Sequence, residues 1–277
     1  MGKIVWIASY PKSGNTWMRM FLMHYFVANR ALTPDTAQAF APNENSGNFY
    51  QPFLPVSAGK LPDAAFASVR PLAHRAIAQA AQSYIFVKTH HLFGTHHGTP
   101  TVSLGDSAAS VYLVRNPLDV VVSYAAFRNV SYDQAIDWVT TKDRILPRIP
   151  GGSYFISGSW SQNVSTWRAQ KQLPCTILRY EDLVTDPASQ FRQLFGAWRL
   201  KIDSDRFDAA IAATSIGALK AAEAEHGFRE RPASAKAFFR SGRTGDGYKE
   251  LSKSQQERVI DACGSQMQAC GYSLDSI

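Results

Sequence analysis

Cysteine is scarce in this chain: Cys175, Cys263 and Cys270 are the only three in 277 residues. An odd count without C-x-x-C spacing speaks against a disulfide scaffold or zinc ribbon and suits a reducing compartment, so a cytoplasmic location is expected. Long hydrophobic runs are lacking as well. No apolar stretch approaches the ~18–20 residues of a membrane span. The opening apolar run, Ile4 to Ala8, is too short for a signal-peptide core and passes directly into a polar loop. Gly2 does not make a myristoylation site, because Trp6 stands where Ser or Thr is wanted. Blocks of like charge are missing too: Lys+Arg number 29 against 22 Asp+Glu, a net +7, yet no run of five or six exists. That excess favours a polyanionic partner, whether nucleic acid, an acidic membrane surface or a phosphorylated small molecule, without choosing among them. With 45% hydrophobic and 18% charged residues, whole-chain disorder is excluded.

There is no internal repeat, low-complexity tract or linker, so one domain over residues 1–277 is expected. Strand-length apolar runs alternate with amphipathic stretches. Ile4 to Ala8 reads as a buried strand, followed by a helix from Thr16 to Ala28 with Trp17, Met20, Phe21 and Tyr25 at helical spacing. Tyr84 to Val87, Val111 to Val114 and Cys175 to Leu178 are further strands. Helices are expected from near Pro117, over Pro187 to Trp198 and over Ser254 to Cys270. Short buried strands alternating with helices imply an α/β fold, a central parallel sheet flanked by helices on both faces. Residues 30–61, 146–159 (with Pro147, Pro150, Gly151 and Gly152) and 226–248 break the pattern as long loops, which are either functional lids or surface excursions.

The most informative segment is Ser9-Tyr10-Pro11-Lys12-Ser13-Gly14-Asn15-Thr16-Trp17, between the first strand and first helix. A parallel sheet places its ligand crevice there, and the exposed amides of a helix start favour an anion. Gly14 lets backbone approach closely, Ser13 and Thr16 offer hydroxyl donors, and Lys12 brings a full charge. A strand–turn–helix merely shaped by Pro and Gly is the bland alternative. The order is not Walker A, since Lys12 precedes Gly14 and the first glycine is absent. It resembles instead the phosphosulfate loop of cytosolic-type sulfotransferases, which use 3′-phosphoadenosine 5′-phosphosulfate (PAPS). Asn15 and Trp17 belong to the same matched run.

The resemblance continues in Arg115-Asn116-Pro117-Leu118-Asp119-Val120-Val121-Val122-Ser123. It matches the family pattern R-[DN]-P-x-D-x-x-x-S, in which Arg and Ser hold the nucleotide's 3′-phosphate; a guanidinium fork suits that dianion. A strand end with a structural arginine is the alternative. Phe238 to Lys249 is similar to the late R-K-G-x-x-G-D-W-K segment. Arg240, Gly242, Gly245, Asp246 and Lys249 match, whereas Ser241 replaces Lys and Gly247-Tyr248 displaces Trp. Tyr180-Glu181-Asp182 resembles the Y-E-D segment near adenine, and Thr214-Ser215-Ile216 a T-S-F segment that here lacks the aromatic ring. Trp17 is a candidate to stack on the base from the other side. For each of these, a core aromatic or a helix cap is the competing explanation.

The resemblance implies transfer of a sulfuryl group from PAPS to a hydroxyl or amine of a small-molecule acceptor, leaving 3′,5′-adenosine bisphosphate (PAP). Lys12 would stabilise charge growing on the leaving phosphate. Lys88-Thr89-His90 resembles the family's K-T-H segment, which makes His90 the general base and Lys88 a supporting charge. Ser123 joins them as a catalytic candidate. No metal and no nucleic-acid partner is expected, although His90, His91, His96 and His97 could be grouped as a metal cluster; no Cys or carboxylate spacing accompanies them. His91, His96 and His97 are expected in a loop or in the acceptor pocket, for which Phe49, Tyr50, Phe53, Tyr154 and Phe155 are also candidates. His24 and His226 are expected to be structural. Lys249 to Glu257 is one residue short of a family dimerisation stretch and lacks its Thr-Val, leaving oligomeric state open. Two rivals remain at this point: a phosphotransferase using ATP or GTP with Mg²⁺, and a non-catalytic polyanion binder, which would bind with steep salt dependence.

Overall fold

The structure is a computed structural model, and it describes residues 2–27, 32–55, 61–148 and 152–274. The elements begin with β1 (Lys3–Ser9), α1 (Asn15–Phe26), α2 (Thr36–Phe40), α3 (Gly47–Tyr50) and α4 (Asp63–Gln79). Next come β2 (Tyr84–Thr89), β3 (Thr95–His96), β4 (Thr99–Pro100), β5 (Ser107–Val114), α5 (Pro117–Arg128) and α6 (Tyr132–Thr140). They continue with β6 (Ile145–Leu146), β7 (Phe155–Ile156), α7 (Trp160–Ala169), β8 (Cys175–Arg179), α8 (Tyr180–Thr185) and α9 (Pro187–Ala197). The series closes with α10 (Ser204–Ala213), α11 (Ile216–His226), α12 (Asp246–Glu250) and α13 (Lys253–Ala269). Every strand and helix expected from the sequence is present, and α1 ends at Phe26. Ala28, placed at the end of that helix by its periodicity, lies outside the described residues, as do Pro150 and Gly151 of the second long loop.

The fold is α/β, with a central sheet in the order β2-β1-β5-β8. β1 and β2 run parallel, from Lys3 opposite Tyr84 to Ala8 opposite Thr89. The first strand is therefore interior, and successive crossovers leave it in opposite directions, the topology that opens a crevice beyond the strand ends. β1 can occupy that position because Ile4, Trp6, Ile7 and Ala8 are all fully buried. β3–β4 and β6–β7 are separate antiparallel pairs.

Two compact units are assembled from alternating segments of the chain. One comprises Met1–Tyr10, Ala41–Tyr112 and Thr141–Ile177. In it, α4 packs on β1 and β2. Trp6 anchors this core, its indole N–H donating to Ser107 Oγ at 2.7 Å and its ring meeting His74 edge-on. Tyr112 stacks on Trp167 and donates to Asn163 Oδ1 at 2.8 Å, which ties the middle of β5 to α7. The other unit comprises Pro11–Phe40, Leu113–Thr140 and Leu178–Ile277. Its core begins with α1, where Phe21 stacks on Phe191 with ring centroids 3.5 Å apart and meets Phe207 edge-on. α5 is buried along most of its length, and α6, α12 and α13 pack on it.

Candidate active site

The unit containing α1 holds the phosphate-loop residues from Pro11 onward. Gly14 is the N-cap of α1 in the left-handed region (φ 97°), with no side chain capping the helix and no acidic residue in its first turn. A Cβ on Gly14 would lie 2.7 Å from Tyr180 Cδ2, so only glycine fits between the loop and that ring. Ser13 is fully buried, and its Oγ has no hydrogen-bond partner among the described residues. Leaving a hydroxyl so placed is costly unless something else satisfies it, and a donor at an uncapped helix start is what a phosphate oxygen requires. Asn15 is buried. Thr16 differs from expectation: its Oγ1 accepts from Arg19 at 3.2 Å and faces Glu230 at 3.4 Å, so a buried ion pair engages it. Lys12 is itself in the left-handed region (φ 70°), and its ammonium sits 3.8 Å from the Phe127 ring centre and 4.6 Å from that of Phe238.

Arg115 joins this loop to the late segment. One guanidinium nitrogen donates to the Lys12 carbonyl and another to the Arg243 carbonyl, both at 3.2 Å, while the group stacks 4.3 Å from the Tyr180 ring centre. Asn116 caps α5 through Leu118 N–H, and Pro117 takes the first helical position. Ser123 lies half-buried on α5, one turn before Phe127. Arg240 pairs with Asp246 at 3.3 Å and Glu250 at 3.6 Å, and Ser241 donates to Asp246 at 3.0 Å. The late segment is thus held by internal charge pairing at the positions expected to grip a phosphate.

A cavity of about 260 Å³ is lined by Trp17, Tyr180, Thr214, Ser215 and Gly242, together with Ile216, Leu219 and Phe239. Five residues singled out from four separate motifs therefore converge on one pocket. Trp17 and Tyr180 meet edge-on at 6.0 Å, and the indole N–H of Trp17 has no hydrogen-bond partner among the described residues. Burial raises the Tyr180 hydroxyl pKa, so the ring stays neutral. Thr214 and Ser215 line the pocket with hydroxyls already employed in helix ends: Thr214 donates to Ala210 O at 2.7 Å, and Ser215 accepts from Ala218 N–H. At Gly242 (φ 64°) an added Cβ would collide with Ile216, so the late segment closes tightly over the start of α11.

The unit containing β1 and β2 holds Lys88 and His90. Lys88 is on β2, with its backbone paired to Pro42 and Glu44. His90 follows the strand directly, and its Nδ1 donates to the Ser9 carbonyl at 2.8 Å. That bond fixes the proton on Nδ1 and makes Nε2 the basic nitrogen. Phe155 meets the His90 ring edge-on at 5.5 Å. Tyr50 and Tyr154 instead form a buried cluster with Phe66, against which Phe49 packs, and Phe53 lies at the surface. His91 lies in the loop after β2, as expected, but is fully buried there, and His96 bonds the Tyr154 hydroxyl at 2.7 Å. Among the described residues, no three His, Cys, Asp or Glu side chains are grouped to hold a metal ion.

Several carboxylates essential to this architecture carried no role in the sequence reading. Asp119 is buried, and its two oxygens accept the N–H groups of Gly247 at 2.7 Å and Gly245 at 2.8 Å. Glu181 accepts from Asn116 N–H at 2.9 Å and from the Tyr272 hydroxyl at 2.8 Å. Glu223 holds the N–H groups of Phe238 and Phe239. Asp119 and Glu181 stand inside matched motifs, which was the available signal; Glu223 and Glu230 had none.

The sulfotransferase domain model matches residues 3–271. The dog (Canis lupus familiaris) Sulfotransferase 1A1 is 25% identical over 275 residues, covering 97% of this chain and 84% of that protein. Cytosolic sulfotransferase 1 of Arabidopsis thaliana is 24% identical over 264 residues, covering 91% and 75%. Among solved structures, retinol dehydratase in complex with androsterone and PAP superposes with a TM-score of 0.65 at 16% identity, covering 99% of this chain and 83% of that one, a likeness of fold. Among the described residues, no helix is long and apolar enough to cross a membrane. With its α/β sheet, its glycine-capped loop at the start of α1 and a family match over nearly the whole length, the chain belongs to the sulfotransferase domain family and is a sulfotransferase.

Proposed function

We propose that this enzyme works as one domain in the cytoplasm and transfers the sulfuryl group of PAPS to a hydroxyl or amine of a small-molecule acceptor, releasing PAP. The observation that carries this reading is the convergence of Trp17, Tyr180, Thr214, Ser215 and Gly242 on one cavity, beside a helix start whose buried Ser13 hydroxyl has no partner among the described residues. In this reading Trp17 and Tyr180 flank the base, and aromatic faces bind bases well. The amides of Ser13 to Thr16 and the dipole of α1 receive the 5′-phosphate. Arg115, Ser123, Arg240, Ser241 and Gly242 receive the 3′-phosphate, with Arg240 exchanging its carboxylate partners for it.

The chemistry needs two further tasks. Lys12 offers an ammonium to the bridging oxygen, where negative charge grows only as the sulfuryl group departs, so its contribution appears in the transition state. His90, protonated on Nδ1 by its bond to Ser9, takes the acceptor's proton at Nε2. A base so placed is typically worth about 10²–10⁴-fold in rate. Lys88 supplies a supporting charge. No metal is assigned, because a transferring sulfuryl group carries less negative charge than a phosphoryl group. The Phe155 ring beside His90 favours an acceptor with an apolar or ring-containing body. Retinol dehydratase, a fold neighbour, has been solved in complex with androsterone.

Incubation with sulfur-labelled PAPS and a panel of phenols, alcohols and amines, with chelator present, tests the reading. Label transfer with stoichiometric PAP release supports it. Full activity in both Lys12→Ala and His90→Ala would remove the mechanism.

A further inference from the structure

Lys88 stands two residues before His90 and His91 one after it, and one residue distant in sequence holds both. The Glu44 backbone N–H donates to the Lys88 carbonyl at 2.9 Å, and Lys88 N–H donates to Pro42 O at 2.9 Å. Residues 42–44 thus extend the sheet along the end of β2. The Glu44 carboxylate reaches the other flank, with Oε2 3.3 Å from His91 Nε2. His91 Nδ1 accepts the Ile156 N–H at 3.0 Å, so its proton is on Nε2, which stands at ion-pair distance from that carboxylate without an aligned hydrogen bond to it. The His91 carbonyl accepts from the Trp167 indole at 2.8 Å, and the His90 carbonyl accepts from Asn163 Nδ2 at 3.2 Å.

The other Glu44 oxygen accepts from His74 Nε2 at 3.1 Å and from the Tyr50 hydroxyl, with Arg70 Nε at 3.8 Å. Glu44, Arg70, His74 and His91 are all fully buried. Burying a carboxylate and a guanidinium costs several kcal/mol for each ion, and apolar replacements of similar volume often do as well for stability. Stability alone is therefore a poor reason for the cluster, whereas the backbone it fixes carries the base. His91 and His74 hold the Glu44 carboxyl well below the usual carboxylate range, so it stays charged.

We propose that Glu44 is a positioning residue for His90, clamping the chain on both sides of the base so that its imidazole keeps the Nδ1–Ser9 bond and presents Nε2 to the acceptor. The proposal rests on His90 being the base. It adds that the His-His doublet is one functional unit: the first histidine acts and the second anchors.

The test compares Glu44→Gln with His91→Asn, which retains an acceptor for Ile156 N–H but loses the reach to Glu44. Each is measured for kcat, for the KM of PAPS, for PAP affinity and for the His90 signals in long-range ¹H–¹⁵N spectra. The expected result is a kcat about 10- to 100-fold lower, PAP affinity and PAPS KM within about twofold of wild type, and loss of the single Nδ1–H tautomer of His90. Should Glu44→Gln fail to fold, His91→Asn carries the test. Unchanged kcat and unchanged His90 spectra would overturn the proposal, as would parallel loss of kcat and PAP affinity. Altered His90 spectra in a protein whose wild type turns over no PAPS would uphold the positioning role and overturn only the assigned reaction.

Discussion

The Lys12 ammonium lies 3.8 Å from the centre of the Phe127 ring, with Phe238 closing over it from the late segment at 4.6 Å. The two rings meet each other edge-on at 5.9 Å. A cation held between aromatic faces is stabilised by about 0.5–2 kcal/mol while remaining fully charged. Phe127 stands one helical turn beyond Ser123, so α5 carries both a phosphate-binding candidate and a wall of the lysine's seat.

Replacing Lys12 by Met should therefore remove turnover almost completely, by about 10²–10³-fold in kcat. Phe238→Leu keeps the apolar volume and removes the ring's charge distribution. It should lower kcat about 2- to 30-fold, the range corresponding to one cation–π contact. Phe238→Tyr should restore most of that loss. Steady-state kinetics of the three variants decide it, and equal activity of the Leu and Tyr variants would contradict the aromatic seat.

Asp119 fastens the late segment by two backbone N–H groups from a buried position. Asp119→Asn can accept only one of them and brings an unmatched donor, at about 1–3 kcal/mol. The melting temperature should fall, and the preference for PAP over 5′-AMP should shrink, because the freed segment carries Arg240. Calorimetric titration of both nucleotides against the variant measures that ratio.

Gly14→Ala meets two obstacles. The left-handed backbone costs a side chain roughly 1–2 kcal/mol, and the new Cβ would stand 2.7 Å from the Tyr180 ring. The loop must shift, so PAP affinity should drop at least tenfold. Thermal-shift titration with PAP reads the loss, and undiminished affinity would show that the loop does not hold the nucleotide.

Acid should destabilise the unit around Glu44. Burial lowers the His91 imidazole to a pKa of about 4 from the ordinary 6.5, and the Glu44 carboxyl is also depressed. For both groups the unfolded chain binds protons that the folded chain refuses. The stability they contribute is complete above about pH 6.5 and is lost as pH falls toward 4 and below. The His91 share amounts to about 3 kcal/mol at most. Chemical denaturation between pH 7.5 and 4.5 should show this slope, and His91→Asn should flatten it.

The strands and motif helices were legible because their signals are local. Ile4 to Ala8 is a buried apolar run ending at Ser-Tyr-Pro, and Asn116-Pro117 announces a cap and a first turn. The helix Asp63–Gln79 is different: it is rich in alanine and carries Pro71 in its interior, which the sequence alone reads as a break. The pocket residues were legible through motif order, since Trp17, Tyr180, Thr214, Ser215 and Gly242 meet in one cavity. What could not be read was which polar atoms are already spent within the fold. Thr16 belongs to Arg19 and Glu230, and Arg240 to Asp246 and Glu250, pairings that span up to 214 positions and leave no periodic trace. The role of Glu44 was hidden for the same reason, being set by tertiary contacts to Lys88 and His91.

Calorimetric titration of PAP into the wild-type protein and Arg115→Met, in chelator-containing buffer with ATP and Mg²⁺ as the comparison ligand, tests the nucleotide assignment most directly. Tight one-to-one binding of PAP without metal, at least tenfold weaker in Arg115→Met, is the predicted result. Preference for ATP with Mg²⁺, or PAP binding indifferent to Arg115, would contradict it.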